Sequence, residues 1–124
     1  MKGRISQKNC KVLGANVYLD TNVSKRTPGL LLIHANWCGH CKRFQPIFDE
    51  LHDKLGDDFP LLSIEDAELQ NNKDLMTALN FKGYPSIKFF DQNGKIIGDY
   101  TGDRSKKSLL DHICNVFHHC VKFH

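Results

Sequence analysis

Apolar positions along the chain follow two different periods. Residues 30–35, LLLIHA, form a short, nearly unbroken apolar run that follows the turn signal Pro28-Gly29. A run so short and so apolar predicts a central strand buried on both faces. The period then changes. Phe44, Ile47, Phe48, Leu51 and Leu55 recur at three- and four-residue spacing, which predicts one buried face of a helix over residues 38–55. Pro46 falls inside that helix and removes a backbone donor, so a kink is expected there, and Gly56 is a natural stop. Residues 59–64 read as a second buried strand. Asn72 is placed to cap a helix running to about residue 80, with Leu75, Met76 and Leu79 inward. Residues 86–91 read as a strand, Asn93-Gly94 as a hairpin turn, and residues 95–100 as the antiparallel return. A last helix begins near residues 103–105 and turns Leu109, Leu110, Ile113, Phe117 and Val121 inward.

Upstream of these elements, residues 17–19 can form a short strand, with room for a helical turn after it. Residues 1–11 are basic and polar and read as a loose arm. That leaves residues 12–124 as one domain. Strands alternating with helices and closed by a hairpin predict an α/β domain with a mixed sheet.

Composition narrows the function classes. A chain of 124 residues can bury its own core, and 40% hydrophobic with 25% charged residues is ordinary for a soluble globular protein. No apolar run approaches the roughly 20 residues that span a membrane. The net charge of +3 is spread over Lys2, Arg4, Lys8, Lys11, Lys25, Arg26, Lys106 and Lys107 without interleaved aromatics. No nucleic-acid partner is therefore expected. The N-terminus lacks the apolar core of a secretory signal, and the C-terminus, HHCVKFH, carries no retention signal. A cytoplasmic location is expected on that ground. The alternatives are the endoplasmic reticulum or another oxidising compartment if a signal has been removed.

Five cysteines, Cys10, Cys38, Cys41, Cys114 and Cys120, cannot all pair within one chain. The count favours one reactive pair plus bystanders. The pair is in HANWCGHCKRF, residues 34–44. Cys38 sits where a strand hands over to a helix, so its sulfur is expected near unpaired backbone N–H groups and the positive end of the helix dipole. Both lower a thiol pKa, and the thiolate is the attacking species. Cys41 lies one turn inward and can resolve a mixed disulfide. Gly39 gives the turn backbone freedom, and His40 can add positive charge that favours the thiolate. A stabilised reduced form makes the disulfide more oxidising. The same cysteines can be read as half of a zinc site, but zinc needs about four ligands. The Cys114/His118 and Cys120/His124 spacings are incomplete sets, so no metal is expected. Cys114 reads as a half-buried free thiol, and Cys10 lies in the arm.

Trp37-Cys38-Gly39-His40-Cys41-Lys42 resembles the active site of the thioredoxin superfamily, in the Gly-His variant of protein disulfide isomerase catalytic domains. Pro46 matches that family's helix kink. Residues 83–90, GYPSIKFF, are similar to its cis-proline segment, Asn93-Gly94-Lys95 to its hairpin, and residues 100–104 to the segment before its last helix. The resemblance covers about residues 12–120. It implies a thioredoxin fold, with a central mixed sheet of about four to five strands and helices on both faces. It implies thiol–disulfide exchange with protein or peptide thiols and disulfides, through Cys38 as nucleophile and Cys41 as resolving thiol. No cofactor beyond the redox-active Cys38–Cys41 disulfide is implied. An unidentified redox partner and a monomeric state are expected. By the same resemblance Pro85 follows a cis peptide bond opposite the cysteines. The backbone at Tyr84 pairs with an extended substrate, Trp37 flanks it, and Arg104 swings toward Cys41 to stabilise its thiolate.

The chain departs from the family pattern at two places. Where relatives place a buried carboxylate that relays protons to the inner cysteine stands Leu32, and the matching lysine position is Leu62 or Ser63. Slow release of mixed disulfides at neutral pH is expected in consequence. His34 stands where an aromatic residue is usual and reads as a structural histidine. His40, Tyr84 and Arg104 favour an isomerase, and the lack of signals favours a thioredoxin-like reductase of cytosolic targets. A cytosolic assembly pathway that makes disulfides, as some large DNA viruses possess, reconciles the two. A redox-silent binding domain is the third reading.

Overall fold

The apolar run after Pro28 becomes the middle strand of a five-stranded mixed sheet. The computed structural model describes residues 3–121. In chain order the elements are β1 (Gly3–Arg4), β2 (Cys10–Leu13), β3 (Asn16–Leu19), α1 (Thr21–Ser24), β4 (Gly29–His34), α2 (Gly39–Leu55), β5 (Leu61–Glu65), α3 (Asp66–Gln70), α4 (Lys73–Leu79), β6 (Ser86–Phe90), β7 (Ile96–Tyr100) and α5 (Lys106–Phe117). The main sheet runs β1-β5-β4-β6-β7, with β2 and β3 forming a separate hairpin. β4 pairs parallel with β5 and antiparallel with β6, and β6 returns antiparallel as β7.

Alternation along β4 divides the core. Leu30 and Leu32 face one cluster, with Phe44, Phe48, Leu51 and Leu55 of α2 and Leu109, Leu110 and Ile113 of α5. Leu31 and Ile33 face the other, with Leu69 of α3 and Leu75 and Leu79 of α4. Every residue of β4 is buried. That is why its sequence shows a continuous apolar run and no period of two. Gly29 opens β4 under tight constraint. A Cβ there would lie 2.3 Å from the Phe90 ring and 2.5 Å from the Pro60 carbonyl oxygen. Gly94 closes the β6–β7 hairpin at φ 79°, a conformation that favours glycine, and its carbonyl accepts from Leu19 N–H at 2.7 Å.

The helix caps are local and legible. Asn72 accepts from Leu75 N–H, Ser105 from Ser108 N–H, and Asp20 from Val23 N–H. Three expectations are corrected. Residues 3–11 are not a loose arm: β1 pairs with β5, Ile5 is buried, and Cys10 is half-buried in β2. α5 ends at Phe117, where His118 turns left-handed, so Val121 packs on the core from beyond the helix. Cys114 and Cys120 are joined in a disulfide, so neither is a free thiol. His124, in one of the spacings considered for a metal, lies outside the described residues.

Candidate active site

The site is built where β4 hands over to α2. Cys38 N–H donates to the Ala35 carbonyl at 3.1 Å, closing the turn, and Cys38 itself is the residue that precedes the first helical position. Its side chain makes no capping hydrogen bond, and the orphan N–H groups of the first turn lie at this end of the helix. The Cys38 thiol is lowered first by a hydrogen bond from the Cys41 side chain, then by the backbone N–H groups of Cys41 and His40, with a further contribution from the Arg43 charge. Cys41 behaves in the opposite way. Burial is the largest influence and pushes its thiol up from 9.0 to about 11, against backbone hydrogen bonding at Ala35 and the charge of Arg104. One sulfur is thus set up as a thiolate and the other as a thiol that donates to it. Both are free cysteines.

The cis peptide bond at Tyr84–Pro85 brings a second segment to the sulfurs. As a thiol, Cys38 Sγ donates to the Tyr84 carbonyl at 3.6 Å. Tyr84 packs against the small cluster of Ala35, Cys38 and Cys41. Trp37 is 69% exposed and meets the Tyr84 ring edge-on, with centroids 5.5 Å apart. Arg104 Nη1 donates to the Pro85 carbonyl at 3.2 Å, which holds the guanidinium where its charge reaches Cys41.

Arg43 Nη2 donates to His40 Nδ1 at 2.6 Å. The cation acting on Cys38 is Arg43, one helical turn after His40. Leu32 is 2% exposed, and its neighbour across β4–β5 is Ser63, which fixes the register of the second missing partner. An apolar side chain there avoids leaving a single charge in the core. His34 is buried, and that burial lowers its pKa. Glu65, directly opposite it on β5, raises it and Arg4 lowers it.

Sequence reasoning missed Asp66. This residue opens α3, and its carboxylate accepts from the Tyr84 hydroxyl and from Gln70 Nε2. These bonds hold its carboxyl below the usual range, the Tyr84 bond contributing most. No motif marks it, because Asp66 is far in sequence from Tyr84. Among the described residues no group of three or more His, Cys, Asp or Glu side chains is arranged to hold a metal ion.

A cysteine with a lowered pKa preceding a helix, a second cysteine one turn on and a cis-proline loop beside them lie together on a thioredoxin fold. The thioredoxin family matches over residues 11–115, and the chain belongs to that family. Among curated relatives it is 33% identical over 98 residues to a protein disulfide-isomerase of Datisca glomerata, an alignment covering 77% of this chain and 19% of that protein. It is 31% identical over 109 residues to a protein disulfide-isomerase of Ricinus communis, covering 86% of this chain and 22% of that one. The chain therefore spans about a fifth of the length of these relatives. Solved structures share the fold. The Trx4 domain of ERdj5 superposes with a TM-score of 0.69 at 17% identity, covering 94% of this chain and 95% of that one. The zinc-bound form of human ERp44 gives 0.67 at 20% identity, covering 93% and 31%. None of the helices among the described residues is long and apolar enough to cross a membrane.

Proposed function

We propose that the chain is a thiol–disulfide oxidoreductase of protein disulfide isomerase type, acting on protein or peptide cysteines. The observation that carries this reading is the opposed state of the two thiols beside the Tyr84 carbonyl. Cys38 is lowered, Cys41 is raised, and the Tyr84 carbonyl lies against Cys38. In the reducing direction the Cys38 thiolate attacks a substrate disulfide. A mixed disulfide forms, and one substrate thiolate leaves. Cys41 then loses its proton and attacks Cys38 Sγ. The Cys38–Cys41 bond forms, the second substrate thiolate leaves, and two electrons have passed to the substrate. Oxidation runs the same steps backwards. Isomerisation begins with the same attack and ends when another substrate thiol displaces Cys38.

Trp37 and Tyr84 supply the apolar wall, and the Tyr84–Pro85 backbone the strand-like pairing partner. Arg104 stabilises the Cys41 thiolate as it appears. Gly39 keeps the turn open, and His40 positions Arg43. The test is the reduction potential of the Cys38–Cys41 pair in glutathione buffers, read by alkylation and mass of the active-site peptide in a Cys10→Ser background. A value near about −180 mV marks an oxidase or isomerase, and one near about −270 mV a reductase. Failure of the two cysteines to titrate together as a dithiol would refute the reading.

A further inference from the structure

Beside the cis-proline, on the side away from Trp37, the surface opens into a cleft of about 480 Å³. Phe81, Lys82, Pro85, Lys88, Asp99 and Arg104 bound it. Its charge is unbalanced: three cations line it against one carboxylate. That carboxylate is already engaged, because Lys88 Nζ donates to Asp99 and to the Asn80 carbonyl. Lys88 is buried at the floor, while Lys82 and Arg104 are exposed at the rim. Neither Lys82 nor Arg104 pairs with a carboxylate among the described residues.

The cleft is continuous with the redox site. Pro85 borders it, and the preceding residue, Tyr84, carries the carbonyl 3.6 Å from Cys38 Sγ. An extended chain advances about 3.3 Å per residue. A substrate strand whose cysteine meets Cys38 therefore places a neighbouring side chain over Pro85 and into the cleft. A lysine or arginine there meets two unpaired cations. An aspartate or glutamate meets the charge the cleft lacks, and the low-dielectric wall formed by Phe81 and Pro85 strengthens that attraction.

We propose that this cleft is a specificity subsite for an acidic side chain, so that the chain selects protein substrates carrying Asp or Glu close to the reacting cysteine. The proposal rests on the oxidoreductase reading above. Lys82 is its specificity-determining residue. Lys88 is committed to Asp99, and Arg104 is shared with Pro85 and Cys41.

The experiment compares two disulfide-bonded peptides that differ only in Glu or Gln at the positions flanking the cysteine. The readout is the ratio of their kcat/KM values in one enzyme, so changes in overall activity cancel. At low salt the unmodified chain is expected to favour the Glu peptide by roughly three- to five-fold, the size of a good exposed ion pair. Lys82→Gln brings the ratio toward one, and Lys82→Glu inverts it. Raising the ionic strength toward about 1 M, where screening acts over roughly 3 Å, also brings it toward one. Equal rates for both peptides at low salt overturn the proposal and leave the oxidoreductase reading standing. A Glu preference that survives Lys82→Glu overturns it as well. No turnover of either peptide sinks both readings together.

Discussion

In the proposed cycle resolution by Cys41 is expected to be the slow step, and its rate to follow from the raised pKa of that thiol. The Cys41 thiol is raised from 9.0 to about 11, first by burial and then by the hydrogen bond and charge of Cys38, so two units is the upper bound once Cys38 is tied in a mixed disulfide. Near neutral pH that leaves up to about 100-fold less thiolate than an unperturbed cysteine would supply. Each thiolate that forms is a better nucleophile. With a Brønsted coefficient of about 0.4–0.5, two units restore roughly 6- to 10-fold. The net deficit is at most roughly 10- to 16-fold. The perturbation is pH, applied to a chain whose Cys38 carries a preformed mixed disulfide with a chromophoric thiol. Stopped-flow absorbance then follows release of that thiol, with Cys41→Ser as the blank. The logarithm of the rate is expected to rise with a slope near one from about pH 7 to about pH 10 and to level toward about 11. Leu32→Glu, at the position where the family resemblance implies a carboxylate, is expected to flatten that profile and raise the neutral rate by up to about 10-fold. It will cost roughly 3 kcal/mol of stability, since Leu32 is 2% exposed and the new charge has Ser63, not a lysine, opposite it. Circular dichroism checks that the variant is folded. A rate in the unmodified chain that levels off near about pH 9, the value of an unshifted thiol, would refute the reasoning, because Cys41 would then lose its proton without hindrance from burial.

Three further outcomes follow from the same physical terms. Burial, with Asp20 adding to it, pushes the Cys10 thiol up from 9.0 to about 12. The unfolded chain gives up that proton first, so the stabilisation is complete below about pH 9 and is lost as pH rises toward 12. The slope is up to about 1.4 kcal/mol per pH unit, and Cys10→Val is expected to flatten it in urea melts. Asp66→Asn removes the charged acceptor of the Tyr84 hydroxyl, the residue whose ring Trp37 meets edge-on. It is expected to raise KM for peptide disulfides several-fold and to change the Trp37 emission, while Tyr84→Phe in the same background adds little further. The Cys114–Cys120 disulfide closes a span of six residues. Replacing both cysteines by Ser is expected to lower stability by about 2 kcal/mol, read as the midpoint of denaturant unfolding.

The chemistry of this site was legible because it is local. Cys38, Gly39, His40 and Cys41 are consecutive, and the apolar run before them and the helical period after them place the nucleophile where a strand ends and a helix begins. Most of the element order was legible for the same reason: caps such as Asn72 and Ser105 act within three residues, and apolar period reports burial directly. The short α3 was not, since five residues, Asp66–Gln70, carry no full period. Residues 3–11 were misread because their order comes from pairing with β5, and Gly3 meets Leu62 across 59 positions of chain. The Cys114–Cys120 bond was missed because the left-handed turn at His118 that brings the chain back is a backbone choice without a glycine to announce it.

By itself, then, the sequence determined the spacing of Cys38 and Cys41, their place between a strand and a helix, and the α/β class, all properties of adjacent residues and their periods. Tertiary structure alone decided which charges reach those sulfurs. Arg104 is held by Pro85 where its charge reaches Cys41, and Asp66 accepts from Tyr84 across the site. Electrostatic strength depends on distance and burial, and between residues remote along the chain both are fixed only when the sheet closes.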